Sequence, residues 1–307
     1  MKASTPPLVS VVIPTYNHAH FIGTALQSLT DQTHDRWEAI VVNNYSIDNT
    51  IEIIDSFSDQ RIRRVDFHNH GVIATARNVA IKQARGEYVA FLDSDDIWYP
   101  EKLARCVAAL EAGSDLVCHG ERWVKEGTVL REVSYGPMAR AKYNKLLYEG
   151  NCLSTSATVV RKSIIEKVNG FSEEPAINIA EDYDLWLRIA RLTERFVFLP
   201  EMLGEFRIHS GNSSGAPLRA AKAELAVLER HFQHDNDIGW LLQVRRQRRR
   251  ALVHYAAGRA FQLSGIPRSA LACFKQAFYL SPFILRLYVA VGLAGLGLVG
   301  LWGKRDA

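Results

Sequence analysis

Cysteine is scarce: the 307-residue chain has four, Cys106, Cys118, Cys152 and Cys273. No two form a CxxC pair and none stands at metal-ligand spacing, which excludes a thiolate metal site and makes them small core residues of a reducing compartment, with no disulfide expected. The N-terminal stretch lacks the charged-then-apolar order of a secretory leader. Residues 1–7 are polar and the apolar run behind them is short and strand-like, so the part of the chain that follows is expected in the cytoplasm. No Gly-rich loop bearing Lys or Arg follows that first apolar run, which argues against a cradle for a nucleoside triphosphate. With 48% apolar and 23% charged residues, the chain is neither disordered nor collagen-like and has enough apolar side chains for a sizeable core.

Charge is divided unevenly. Residues 216–307 carry 14 Lys or Arg against 5 Asp or Glu, net +9, while 1–215 carry net −5. A basic tail behind an acidic head points to an anionic partner, a phospholipid surface before nucleic acid, with a solvated helix face as the structural alternative.

Along 8–119, strand-length apolar runs (8–13, 37–42, 61–67, 88–92, 116–119) alternate with segments of helical period (21–29, 51–57, 73–84, 103–112). That alternation implies parallel crossovers and a sheet covered on both faces, whose ligands bind beyond the carboxyl ends of the strands. Those ends are polar throughout: Thr15-Tyr16-Asn17, Asn43-Asn44, His68-Asn69 and Asp93-Ser94-Asp95-Asp96, four tips expected to line one crevice. Residues 121–135 read as a hairpin or irregular excursion, and 154–168 as a further strand and helix. After the loop at 210–217 the pattern is wholly helical, over 218–232, 238–254, 256–264 and 269–280. Residues 255–282 resemble one helix-turn-helix unit of a tetratricopeptide array and read as an αα-hairpin. Two domains are expected: an α/β catalytic domain over 1–215, mostly parallel and flanked by helices, and a basic helical region over 216–307.

Asp93 and Asp95 stand one residue apart at an open strand end, where both can reach one site. Mg or Mn prefers such oxygen ligands and bridges them to phosphate oxygens. An acidic loop capping the helix that Pro100 opens is the structural alternative.

The segments VSVVIPTYNHAHFIGTALQSLTDQT, GVIATARNVAIKQARGEYVAFLDSDDIWYPEKL and AEDYDLWLRIA resemble, in order, an inverting family 2 glycosyltransferase of GT-A fold. The resemblance implies that Thr15, Tyr16 and Asn17 border the donor's base and ribose, with a helix N-cap the alternative for Asn17. Where the family has Asp-Asp-Gly-Ser this chain has Asn43-Asn44-Tyr45-Ser46, so Asn44 would meet the base without charge and Tyr45 replaces a glycine. Arg77 would reach the base or the phosphates. Asp93 would contact ribose or metal, Asp95 would be the main metal ligand, and Asp96 would support the loop. His209 would complete the metal site and Arg207 approach the diphosphate. Asp182 stands where the family carries the base that takes the acceptor's proton, although acidic residues also favour a helix's first turn. Glu181 would hold the acceptor or orient Asp182, and Trp186 would face a sugar ring or sit in the core.

The stretch 283–302 is apolar but for Arg286 and just long enough to cross a bilayer, yet four glycines dilute it. With Arg245, Arg246, Arg248, Arg249 and Arg250 upstream, it is expected to lie on or dip into an anionic membrane at the inner face, or to anchor there; a buried helix is the alternative. The activity implied is inverting, Mn2+- or Mg2+-assisted transfer from a nucleoside-diphosphate sugar, UDP first, to a hydroxyl of a glycan or lipid-linked glycan in cell-surface polysaccharide synthesis. No nucleic-acid partner is expected. A sugar nucleotidyltransferase and a catalytically silent scaffold are the rival readings.

Overall fold

The computed structural model describes residues 6–209, 211–212, 216–233 and 239–298. Two compact units make up the chain: Met1–Leu146 with Gly150–Ser210, and Leu147–Glu149 with Gly211–Ala307. The expected boundary at 215/216 abuts 213–215, which lie outside the described residues.

In the first unit the expected alternation is present. In chain order it runs β1 (Val9–Thr15), α1 (Ala19–Thr30), β2 (Trp37–Asn43), α2 (Thr50–Asp55), β3 (Ile62–Asp66), α3 (Ile73–Gln83), β4 (Tyr88–Phe91), β5 (Ile97–Trp98) and α4 (Lys102–Glu111). Then come β6 (Leu116–Lys125), β7 (Thr128–Val133), α5 (Met138–Ala141), α6 (Tyr143–Glu149, whose last three residues belong to the second unit), β8 (Thr158–Arg161), α7 (Lys162–Lys167), α8 (Glu181–Leu192) and β9 (Phe196–Arg207). Every residue of β1 and β2 is buried, as befits central strands covered on both faces. Leu26 and Leu29 of α1 and Leu103 and Leu110 of α4 close over them in one apolar cluster. Gly86 leads into β4, where an added Cβ would stand 2.7 Å from Leu8 O and Ser10 N, so only glycine lets β1 and β4 start side by side.

The nine strands form one sheet, ordered β3-β2-β1-β4-β8-β6-β9-β5, with β7 hydrogen-bonded to β6. From β3 to β4 all pairings are parallel, and the order reverses at β1, which has β2 on one side and β4 on the other. That reversal opens the crevice in which α/β sheets bind ligands. Beyond β4 the sheet is mixed, because β8 runs antiparallel to both β4 and β6, while β6 and β9 are parallel. The segment expected as a hairpin is one: β6 and β7 turn at Glu126-Gly127, where φ is +49° and +78°, the positive pair of a tight two-residue turn.

Lys102 is fully buried at the start of α4, with Nζ 3.2 Å from the centroid of the Trp98 ring and no hydrogen-bond acceptor among the described residues. Burial pushes its pKa down to about 7. Because the unfolded chain binds this proton more tightly, Lys102 costs stability as pH falls from about 10 towards 7. Lys102→Met, similar in volume, is expected to raise unfolding stability at pH 7 by about 2 kcal/mol after loss of the ring contact, an advantage that vanishes as pH approaches the free-lysine pKa. Urea unfolding at neutral and alkaline pH measures it.

The second unit is helical: α9 (Pro217–Gln233), α10 (Trp240–Leu263), α11 (Pro267–Leu280) and α12 (Leu285–Leu298). The helix break expected between 254 and 256 is absent. The chain runs through it as α10, because Gly258 lets the helix press against the Phe274 ring, which an added Cβ would meet at 2.4 Å. Part of the basic run is also turned inward: Arg246 and Arg249 are buried, with Arg249 paired to Glu224, and Arg250 pairs with Glu229 at 2.6 Å. No helix among the described residues is long and apolar enough to cross a membrane, and 299–302 of the expected apolar stretch lie outside them.

Candidate active site

The polar ends of β1, β2, β3 and β4 are tied to one another by side chains. Asn17, at φ +51°, receives a hydrogen bond at Oδ1 from the Ile47 amide (2.9 Å), while its own amide donates to Ser46 Oγ (2.9 Å). It thus braces the second tip against the first; the N-cap position of α1 is taken by His18. Asn43 donates through Nδ2 to Asp66 at 2.7 Å and is fully buried, so it is structural. Asn44 accepts the Asn69 amide proton at Oδ1 (3.0 Å), joining the second tip to the third. Thr15 is buried at the end of β1, whereas Tyr16 is half exposed beside it. Tyr45 takes φ +54°, the left-handed conformation for which glycine is suited, and leaves its ring exposed.

Past β4 the acidic loop divides its carboxylates among three tasks. Asp96 is buried under the loop, accepting from Ser156 Oγ (2.5 Å) and from the Arg207 amide (3.1 Å). Burial, then the charges of Asp95, Glu121 and Asp93, push its carboxyl well above the usual range, and it supports the loop as expected. Asp95 turns to β9: Oδ2 lies 2.9 Å from His209 Nε2, and the Arg207 guanidinium grips the Asp95 carbonyl and donates to Thr24 Oγ1 at 2.7 Å. Arg207 thus braces the loop.

Asp93, expected at the ribose or the metal, is held by Arg77. Its Oδ1 accepts from Arg77 Nη2 at 2.7 Å. Among the described residues no three His, Cys, Asp or Glu side chains gather into a group that could hold a metal. Asp95 and His209 supply one hard oxygen and one imidazole nitrogen, a two-ligand set that suits Mn2+ or Mg2+ where phosphate oxygens and water complete the shell.

Arg77, on the inner face of α3, is 3% exposed and forks between Asp93 and Glu181 Oε1 (2.6 Å). Burial opposes the guanidinium charge, but the neighbouring carboxylates outweigh it and hold the pKa above its ordinary value. Glu181 is buried, and its second oxygen accepts from the Ile179 amide at 2.6 Å, so it does not present itself to an acceptor. Ile179 has φ +78°, a strained conformation for a β-branched residue.

Next to Glu181, Asp182 stays partly exposed in the first turn of α8. Thr155 Oγ1 donates to its Oδ2 at 3.1 Å and the Tyr183 amide to Oδ1 at 2.7 Å. Desolvation first, and the Glu181 charge second, raise its pKa to about 6 against the opposing pull of Arg77. A carboxylate so tuned is ionised at neutral pH yet basic enough to accept a proton. Trp186 is fully buried and packs edge-on against Phe91, 6.1 Å between centroids, so its face is closed to a sugar and the core reading stands.

The sequence reading missed His18, Thr155 and Ser156. His18 Nδ1 lies 2.7 Å from Ser94 Oγ, and its ring meets that of His209 edge-on at 6.2 Å. It directly follows Asn17 in a tip already singled out, so position alone pointed to it. Ser156 links Asp96 to the Asp93 amide, and Thr155 supports Asp182, but both precede a strand whose neighbours in the sheet are distant in sequence.

The family model described as Glycosyl transferase family 2 matches residues 10–168, just over half of the chain. A Bacillus subtilis protein assigned to teichuronic acid biosynthesis as a glycosyltransferase, TuaG, is 31% identical over 220 residues, covering 70% of this chain and 85% of its own. The Escherichia coli UDP-Glc:α-D-GlcNAc-diphosphoundecaprenol β-1,3-glucosyltransferase WfgD is 35% identical over 184 residues, 60% of this chain and 70% of its own. Among solved structures, the Pyrobaculum calidifontis mannosyltransferase PcManGT, in complex with GDP-Man and Mn2+, superposes with a TM-score of 0.60 at 20% identity, covering 98% of this chain and 89% of that one. The sheet reversing at β1, the acidic loop beyond β4 and these likenesses agree: the chain belongs to glycosyl transferase family 2, a glycosyltransferase of GT-A fold.

Proposed function

We propose that this glycosyltransferase moves a sugar, with inversion, from a nucleoside-diphosphate donor to a hydroxyl of a glycan or lipid-linked glycan in cell-surface polysaccharide synthesis, working from the cytoplasm at the inner face of a membrane. The observation that carries the reading is the Arg77 fork, which joins the acidic loop to the start of α8 and so sets Asp182 beside the donor crevice. Tyr16 and Asn44 border the base and Asp93 the ribose. UDP is the first candidate, in line with the UDP-Glc in the name of the Escherichia coli relative.

Asp95 and His209 would hold Mn2+ or Mg2+, whose charge, once bound, offsets that of the departing diphosphate. Arg77 holds Asp93 and Glu181 in place, and desolvation, with the Glu181 charge second, keeps the Asp182 carboxylate basic. Asp182 Oδ takes the acceptor hydroxyl's proton as the oxygen attacks the anomeric carbon opposite the leaving phosphate. The Thr155 hydroxyl steadies the other side of that carboxylate.

Thermal unfolding with UDP, dTDP, GDP and CMP, each with and without Mn2+, tests the reading. One nucleoside diphosphate with Mn2+ is expected to add about 2.7 kcal/mol at a hundred times its Kd. Asp95→Ala is expected to abolish that gain. Folded protein that none of them stabilises would overturn the donor assignment.

A further inference from the structure

Between residues 238 and 305 the chain has no Asp or Glu, yet 239–298 alone contains nine Lys or Arg. Internal pairing accounts for Arg246, Arg249 and Arg250 near the start of α10, but Arg268, Lys275 and Arg286, on α11 and α12, are exposed. Of these, Lys275 and Arg286 border an apolar surface. Helix α12 buries Leu287, Ala290 and Ala294 in a cluster with Phe274 and Ala277 of α11. Its opposite face leaves Leu285 83%, Val289 65% and Tyr288 53% exposed, and Phe283, just before it, is 91% exposed.

The surface is continuous: Phe278 meets Tyr288 edge-on at 6.1 Å and Tyr279 at 6.4 Å, and Lys275 Nζ lies 5.8 Å from the Tyr279 ring centroid. A helix face turned to water ordinarily carries charges of both signs. Here aliphatic and aromatic groups stand among cations, with no anion on the same stretch of chain. Cations alone would fit any polyanion, but exposed Leu285, Val289 and Phe283 gain nothing from a hydrated polymer and much from hydrocarbon, while tyrosines suit the boundary between the two.

We propose that the α11–α12 corner docks on an anionic bilayer, Phe283 and Leu285 entering the acyl boundary while Lys275 and Arg286 meet the lipid phosphates. The mode is peripheral. It deepens the reading of a lipid-linked acceptor, on which it rests, by naming the surface that would hold the enzyme where such acceptors lie.

Co-sedimentation of the full chain with vesicles of phosphatidylglycerol and phosphatidylcholine in equal parts, against phosphatidylcholine alone, tests it with neither donor nor acceptor present. Binding is expected only to the anionic vesicles and to weaken in high salt. Phe283→Ser with Leu285→Ser, and separately Lys275→Glu with Arg286→Glu, are each expected to lower partitioning roughly tenfold or more while unfolding temperature and stabilisation by nucleoside diphosphate stay unchanged. Equal binding to both vesicle types, or variants that bind like the parent, would overturn the proposal. Failure to bind vesicles, together with a dimer that the Phe283/Leu285 variant dissociates in light scattering, would assign the face to a second copy. Vesicle binding that persists when no nucleoside diphosphate stabilises the chain would sink the donor assignment and leave the docking surface standing.

Discussion

Asp182→Asn is expected to lower kcat by about a hundredfold or more, the ordinary contribution of a positioned general base, while donor binding stays intact. The asparagine keeps its Oδ1 as acceptor for the Tyr183 amide, and its Nδ2 can donate to Thr155 Oγ1 once that hydroxyl turns to accept, so the helix start is preserved and only the proton acceptor is lost. In the parent enzyme, kcat should rise with pH and level off above about 6, where the carboxylate is ionised. The variant should lose that limb. Stability should move the other way. A carboxyl whose folded pKa lies above its unfolded value contributes most below the unfolded pKa, and that contribution disappears as pH rises through about 6. At pH 8 the neutral asparagine is therefore expected to be more stable by about 2 kcal/mol. A kcat within a fewfold of the parent's, or a lost nucleoside diphosphate shift, would remove Asp182 from the role of base.

Arg77→Leu is expected to cost about 3–5 kcal/mol, because it leaves Asp93 and buried Glu181 without their shared cation. That is a large part of a typical domain's stability, so the variant is expected to unfold at markedly lower urea. Adding Glu181→Gln should recover part of the loss by removing one uncompensated charge. Arg77→Lys should restore charge but not the two-pronged geometry, and so fold better than it binds donor. Urea midpoints for the three variants, with nucleoside diphosphate titrations of those that fold, measure both effects. A near-neutral Arg77→Leu would show that the fork is idle.

What the sequence made legible follows from how local each feature is. Polar residues directly after buried apolar runs marked the ends of β1, β2, β3 and β4 and the Asp93/Asp95 pair, whereas the roles given to Asp95 and Asp182 came from the family resemblance. The parallel half of the sheet was readable because alternation of strand and helix forces crossovers. The mixed half was not. Nothing in Thr158–Arg161 says that this strand slips between β4 and β6, antiparallel to both, and the tasks of Thr155 and Ser156 stayed hidden with it. Side-chain allegiance was hidden too. Spacing alone did not say that Arg77 would hold Asp93 and His209 would meet Asp95. Trp186 could be assigned to solvent or core only once Phe91 was seen against it. In the helical unit, composition could not show which arginines fold inward, since that depends on where Glu224 and Glu229 fall across from α10.

The backbone at Ile179 behaves as a latch. Its left-handed twist costs about 1–3 kcal/mol and persists because the amide is fastened to Glu181, itself fastened to Arg77. Release of Arg77 from Glu181 would free that peptide to unwind towards an ordinary conformation, dragging the first turn of α8 with it. On the proposed mechanism, the placing of Asp182 then depends on whether Arg77 holds Glu181.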